Sequence, residues 1–485
     1  MADSSLIARF TYVLTCTFLI CLAFHVVFIS KHDNISNLQA AYATIIVALG
    51  LLPGVITFLS KREGGLIPLM PLHGLFYALT FGLPVFFIDA QSLQPLPEFG
   101  ERIGWIGYGE DKLSNVLVMT IFGQVFLYIG YYIFNWFSVD LKPIKVREVP
   151  LSRQIIFAWL LFFCYVLFQF FPKLRTLPSV EQLMMPVCYM SIGILTLLAL
   201  DRKLNYLHFI FFLLAVFFIL SNLLLSGSLA PIVLFLVFLG IIYWNKKRSL
   251  PWLFIILCVL IAVVLNPVKS KFRNNTWYAQ DKSITFYDKA ILLGQVVKDH
   301  YSDSSVLEKV NSDKGIVYRL AHISTFAYVA AVTPDSVPYW SGDSYETLWT
   351  SFIPRMFWPG KPQSTIGQDF GHRYGLLQTY DMGTSMNLPW IIEFYANFGL
   401  WGVLTGMFFT GVFFRFLLTR LKVSVDNPIE HVLAVTTTFS LFYAESNFAL
   451  MVGGILPIFI VFSVLVRLLT FGLNKTPKNT HSVVQ

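Results

Sequence analysis

Arginine is the residue type with the clearest chemistry in this chain. A polar stretch from Pro267 to Pro389 carries Arg273, Arg319, Arg355 and Arg373, with Lys361, His322 and His372 among them. A guanidinium stays charged at any biological pH and grips phosphate oxygens through a planar fork of donors. Four of them in one segment of a chain that is only 13% charged point to an anionic, phosphate-bearing ligand. Arg355 sits between Pro354 and Trp358-Pro359, where proline restricts the backbone and holds the side chain in place. Lys361 adds a second cation in the same turn-like run, and Arg373 follows His372. Arg273 closes Lys269-Ser270-Lys271-Phe272-Arg273 just after an apolar run, near the level of a lipid phosphate. The plain readings stand beside these: Lys269 and Arg273 as snorkelling interfacial anchors, Arg355 stacked on Trp358, and His322 as a polar contact among headgroups.

Proton transfer needs a different set. His372, Asp369 and Glu393 are the candidates for a general base, with His322, Asp381 and Glu445 behind them. The structural alternative for each carboxylate is a salt bridge to a loop arginine. No P-loop, H-x-x-x-H or G-x-S-x-G motif is present, and the polar stretch has no D-x-D. Metal-dependent nucleotide-sugar chemistry thus has no support, and neither a metal nor a cofactor is expected.

The elements that must position these groups are membrane helices. The 485 residues are 56% hydrophobic, with mean hydropathy +0.66. Apolar runs near the ~20 residues needed to cross a bilayer recur throughout. The expected fold is an all-α polytopic membrane protein of about twelve spans: 7–29, 41–59, 66–88, 116–137, 155–171, 186–200, 207–225, 229–244, 252–268, 390–418, 431–448 and 451–473. Residues 1–267 then hold nine spans, 268–389 form the loop, 390–473 hold three more, and 474–485 are a polar tail. Alternate loops carry the basic residues: Lys61-Arg62, Lys142 to Arg153, Arg202-Lys203, Lys246-Lys247-Arg248, Arg420 with Lys422, and Lys475 with Lys478. By the positive-inside rule both termini are cytoplasmic and the long loop is extracytoplasmic. Lys173 and Arg175 dissent. The net charge of +8 belongs to these cytoplasmic loops and does not call for nucleic acid. All five cysteines fall in apolar runs and imply no disulfide framework.

Within the loop, 286–297 has helical spacing, and 315–332 is an apolar segment expected as a surface or re-entrant helix, with Arg319 and His322 on one face. Beyond Pro334 the density of Trp, Tyr, Gly and Pro predicts a structured cap at the interface.

The run I-P-R-x-x-W-P-x-K-P at 353–362, GQDFGHRY at 367–374 and NLPWIIEFYANFGLWG at 387–402 resemble the Wzy-type polymerases of O-antigen and capsule repeat units. The topology is similar along the whole chain, and the residue-level likeness runs from about Arg273 to Gly402. The resemblance implies a GT-C-like glycosyltransferase without metal or nucleotide sugar. It would move a growing chain from undecaprenyl pyrophosphate onto a new lipid-linked repeat. It further implies a bacterial inner-membrane location with the loop in the periplasm, and a chain-length regulator as a candidate partner. The loop arginines it matches are Arg273, Arg319, Arg355 and Arg373, as pyrophosphate ligands. Two other functions compete: an O-antigen ligase delivering the chain to lipid A-core, and a flippase of lipid-linked oligosaccharides. Ionisable residues gathered in one outer loop, without internal repeats, favour the enzyme over the transporter.

Overall fold

The computed structural model describes residues 36–59, 67–87, 110–133, 141–175, 180–247, 249, 251–276, 285–302, 320–351, 353, 358, 360–362, 365–421, 423–424 and 426–472. The expected first span at 7–29, Lys61-Arg62, the polar tail at 474–485, and Arg319 and Arg355 lie outside them. Every regular element among the described residues is helical. In chain order the membrane elements begin with α1 (Asn37–Leu59), α2 (Leu69–Tyr77), α3 (Glu110–Ile133), α4 (Leu151–Phe170) and α5 (Val180–Leu200). After them come α6 (Tyr206–Leu224), α7 (Leu229–Lys247) and α8 (Trp252–Leu265). The polar region holds α9 (Lys269–Thr276), α10 (Phe286–Ser302), α11 (His322–Val332), α12 (Glu346–Ser351) and α13 (Ile366–Arg373). The chain closes with α14 (Trp390–Arg420), α15 (Pro428–Thr438), α16 (Phe448–Gly453) and α17 (Ile455–Leu469).

Nine described helices are long and apolar enough to cross a membrane; α2 counts among them because π and 3-10 turns carry it on to Phe86, and α16 with α17 because they form one span from Phe448 to Leu469. Two of the twelve expected spans fall short of that length: α8 has 14 residues and α15 has 11. The eleventh span was expected to reach residue 448. Its helical run instead stops at Phe442, and Phe448 opens the next helix. The cause is local: the Asn447 side chain accepts from Leu450 N at 2.9 Å and starts a new helix there. Only Ser226-Gly227-Ser228 separates the apolar runs of α6 and α7, yet they are two helices joined by a turn.

The basic loops among the described residues gather at one end of the bundle. Lys246 pairs with Asp201 at 2.7 Å, and Lys203 pairs with the same carboxylate at 3.3 Å. These two cations hold the Asp201 carboxyl below its usual range, against the opposing pull of partial burial. Arg420 donates to the Lys142 carbonyl at 2.6 Å, and Arg153 donates to the Phe471 carbonyl at 3.1 Å. The Asn427 side chain donates to Val146 O at 2.9 Å. Since α14 ends at Arg420 on this face, the far end of its long limb, near Leu400, belongs to the other end.

The expected tenth span is not one straight crossing. Phe398 and Gly399 break α14, and Gly399 has φ +61° and ψ −146°. In a straight helix Trp390 and Phe414 would lie about 36 Å apart. Their rings are 6.0 Å apart, so residues 390–397 fold back along the rest of α14. Gly402 permits this, since a Cβ there would meet Phe394 O at 2.1 Å. A second descent is α11, in which nine of eleven residues are buried. It is an internal helix; an interfacial one would leave half its surface exposed.

The long limb of α14 packs closely on α3. A Cβ on Gly411 would sit 2.1 Å from Leu127 O and 2.7 Å from Tyr131 N, both rigid backbone atoms. Gly411→Val should therefore destabilise the protein by about 1–3 kcal/mol or more. The check is thermal unfolding in detergent, with Gly54→Ala as the control, because nothing lies within 4 Å of that Cβ.

Candidate functional site

The polar side chains fall into two groups, one in the cap and one inside the bundle. The cap group is built on α13. His372 Nε2 lies 3.0 Å from Asp381 O, so this nitrogen carries the proton and donates. Asp369 accepts from the Thr365 hydroxyl at 2.8 Å on the exposed start of the helix. Arg373 donates to Pro338 O at 2.7 Å, and its guanidinium lies 5.7 Å from the centre of the Trp340 ring. Asp381 accepts from Thr384 N at 2.9 Å and Gly383 N at 3.1 Å. The hydrogen bonds from Thr384 hold its carboxyl below the usual range. Lys361 donates to Ile353 O at 3.0 Å. These contacts make α13 and its loop a rigid plate. Of the expected site residues they bring together His372, Asp369 and Arg373.

Arg273 is elsewhere. Its Nε donates to Gly227 O at 2.8 Å, which pins α9 on the turn between α6 and α7. Tyr301 of α10 likewise donates to Val264 O at 3.0 Å. The cation thus stands over the turn that joins α6 to α7, opposite the Lys247 end of α7.

Glu393 is not a surface base. It is fully buried on the folded-back limb of α14. One oxygen accepts from the Ser344 hydroxyl at 2.8 Å and the other from Phe448 N at 2.7 Å. Asn397 completes the knot by donating to Ser344 Oγ at 2.9 Å and to Glu393 O at 2.8 Å, while its own oxygen accepts from Gly342 N at 2.9 Å. The carbonyls released by the break at Gly399 are also met: Trp340 N bonds Ala396 O and Ser341 N bonds Asn397 O. In an apolar interior such groups must find partners within the protein.

A second carboxylate, Glu445, sits in the break between α15 and α16. Asn387 donates to its Oε2 at 2.8 Å, and His322 Nε2 lies 3.7 Å from its Oε1. The His322 ring packs at 5.9 Å from Phe76 and 6.3 Å from Phe81. The α2 helix widens to a π turn over Ala78–Gly82, a feature frequent at functional sites. Below it, His73 contacts Trp390 at 5.2 Å and Phe414 at 4.6 Å. Its Nδ1 donates to Leu69 O at 3.2 Å, and its Nε2 is buried without a partner. Besides the ionisable residues of the outer loop, His73, His322 and Glu393 are buried in the bundle, and Glu445 is half-buried beside His322. An ionisable residue inside an apolar run was the available signal. Asn387 gave none, because its role depends on the fold-back. Among the described residues, no three His, Cys, Asp or Glu side chains gather as a metal would need.

Together these features define a polytopic helical membrane protein whose broken helices meet beneath a polar cap. Residues 137–472 match the family described as a domain of unknown function, DUF8712, and the chain belongs to that family. The matched region takes in the cap, His322, Glu393 and Glu445, but not α2. No curated protein and no solved structure matches the chain.

Ser344→Ala would leave one oxygen of a fully buried carboxylate unsatisfied, a cost of about 1–3 kcal/mol. A lowered midpoint in detergent-stable thermal unfolding is expected. A wild-type midpoint would mean that the knot does not hold the cap.

Proposed function

We propose that the protein polymerises undecaprenyl-pyrophosphate-linked oligosaccharide repeats at the outer face of a bacterial inner membrane. The observation that carries this reading is the cap: its plate of fixed polar side chains stands at the end of the bundle away from the basic loops, with titratable groups directly beneath it. By charge asymmetry that end is periplasmic, where a lipid-borne donor is available and nucleotide sugars are not.

In this mechanism a hydroxyl of the acceptor repeat attacks the anomeric carbon of the donor chain. The bond from that carbon to the pyrophosphate oxygen breaks, and the electron pair leaves with the lipid carrier. Arg355, Arg273 and Arg319 neutralise the charge that grows on the pyrophosphate, with Lys361 and Arg373 alongside. Arg373 also braces the cap through Pro338 and Trp340. His372 and Asp369 flank the acceptor from the plate, whereas Glu393 serves as the strut beneath it. No metal or cofactor takes part, and a chain-length regulator is the expected protein partner.

One observation favours a second reading. Discontinuous helices meeting around ionisable residues are a hallmark of transporters. A flippase of the same lipid-linked units would use the His322–Glu445 junction as its passage. O-antigen ligation remains the neighbouring enzymatic alternative. Gene deletion separates the three: single repeats on the lipid core mark a polymerase, a bare core marks a ligase, and lipid-linked repeats retained on the cytoplasmic side mark a flippase.

Loss of one donor from a preorganised anion site costs about 2.7–4 kcal/mol of barrier, or roughly 100- to 1000-fold in rate. Arg355→Ala should abolish long polymer while the protein is still inserted, and Arg355→Lys should restore little, because an ammonium lacks the fork. Gel ladders from cells carrying each variant are the readout. Normal ladders from Arg355→Ala would remove this residue from the mechanism.

A further inference from the structure

We infer that Tyr380 is the platform on which a sugar ring of the lipid-linked repeat stacks, with Gln368 and Asp369 of α13 accepting from that ring's hydroxyls. This rests on the transfer reading above and names the place where the substrate of that reading is recognised.

The loop after α13 is fastened to its helix at both ends and at its tip. Leu376 N and Leu377 N donate to Gly371 O at 2.7 and 3.0 Å, and Met386 N donates to Gly367 O at 3.0 Å. Both glycines let the loop lie flat, because a Cβ on Gly371 would run into the Leu377 side chain and one on Gly367 into the Ser385 hydroxyl. At the tip, Asp381 N donates to Gln378 O at 2.9 Å, and the Asp381 carboxylate takes the amides of Gly383 and Thr384. The Asp381 carbonyl is held by His372 Nε2 at 3.0 Å and by Gln368 Nε2 at 3.4 Å. Tyr380 adjoins this clamp and is 81% exposed, and Met382 on its other side is 71% exposed. A tightly fastened loop thus holds an aromatic ring and a thioether out of the core, the reverse of what burial of apolar surface favours.

The surroundings of Tyr380 select the ligand. Gln368 and His372 lie at i and i+4, and Asp369 and His372 at i and i+3, so the three share one side of α13. Gln368 spends its amide nitrogen on the Asp381 carbonyl and keeps its oxygen for a donor. Asp369 is exposed, and one of its oxygens takes the Thr365 hydroxyl while the other faces outward for a donor. An aromatic face beside such acceptors suits a pyranose, which has an apolar C–H face and hydroxyls around its edge. The C–H face meets the electron-rich face of the tyrosine ring, and the edge hydroxyls donate to Gln368 and Asp369. Two carboxylates in this patch, Asp369 and Asp381, oppose the phosphates of a bilayer surface, so Tyr380 is not a membrane anchor. Trp349 and Trp401, both 74% exposed, are placed differently. The first stands on α12, which meets α16 through Ser351 and Gly453, and the second on the α14 span, where an aromatic belt belongs.

The probe is the lipid-free repeat oligosaccharide released by mild acid from the host's own lipid-linked units. It is titrated into the purified full-length chain in detergent. Saturable binding by the wild type is expected, and no binding overturns the inference. Tyr380→Ala should weaken binding at least about tenfold, Tyr380→Phe and Tyr380→Trp should stay within about threefold of wild type, and Tyr380→Leu should behave as Ala does. Wild-type affinity from Tyr380→Ala overturns the assignment, as does recovery by Leu equal to that by Phe, since a plain apolar contact needs no ring. The side chain is exposed, so these variants should unfold at the wild-type midpoint. Should they fail to fold, Asp369→Ala decides: binding weaker by at least about threefold is expected, and wild-type affinity overturns the inference. The transfer reading fails separately. Binding that depends on Tyr380, with no ladder from intact lipid-linked repeats, would remove the polymerase and leave the sugar site standing. A wild-type ladder from Tyr380→Ala would remove the sugar site and leave the polymerase.

Discussion

The buried carboxylate of Glu393 is the contact on which the rest of this structure depends. It joins the folded-back limb of α14 to the cap through Ser344 and to the start of the last span through Phe448 N. Such a group is tolerable in a dry interior only when every oxygen is met, and removing one partner costs far more than the bond contributed. The same demand governs the helix break next to it. A chain that turns inside an apolar bundle exposes amides and carbonyls with no water to receive them. Here Asn397 and the backbone of 340–342 receive them, so the break and the cap specify one another.

Three helix starts approach one another in this region: His322 of α11, Trp390 of α14 and Phe448 of α16. Each presents the positive end of a helix dipole. The Trp390 and Phe448 rings are 5.2 Å apart, and the carboxyls of Glu393 and Glu445 lie close by. The carboxylates are thus matched to the backbone first.

Much of this was legible in the sequence, and what was not has a physical cause. Runs such as 207–225 and 229–244 show their helices through composition alone, and the turn between them was correctly placed at Ser226-Gly227-Ser228. The alternation of basic loops foretold which ends lie together, as Arg420 on Lys142 and Lys246 on Asp201 bear out. The helical spacing of α10 and a structured region beyond Pro334 were visible too. The fold-back at Gly399 was hidden, because hydropathy measures how apolar a segment is and not how often it turns. The apolar stretch 390–418 reads as one span whether the chain crosses once or descends and returns. The interruption at 443–447 was hidden for the same reason, and with it the meeting of Glu445 and His322. Their approach requires two re-entrant segments to be placed first, and no local pattern encodes that.

The most direct measurement is reconstitution. Purified protein in lipid vesicles, supplied with one defined undecaprenyl-pyrophosphate-linked repeat and no metal or nucleotide sugar, should yield a ladder of products differing by single repeats. Recovery of the repeat unchanged in length would contradict the account, and its appearance on the opposite side of the bilayer without any ladder would identify a transporter instead.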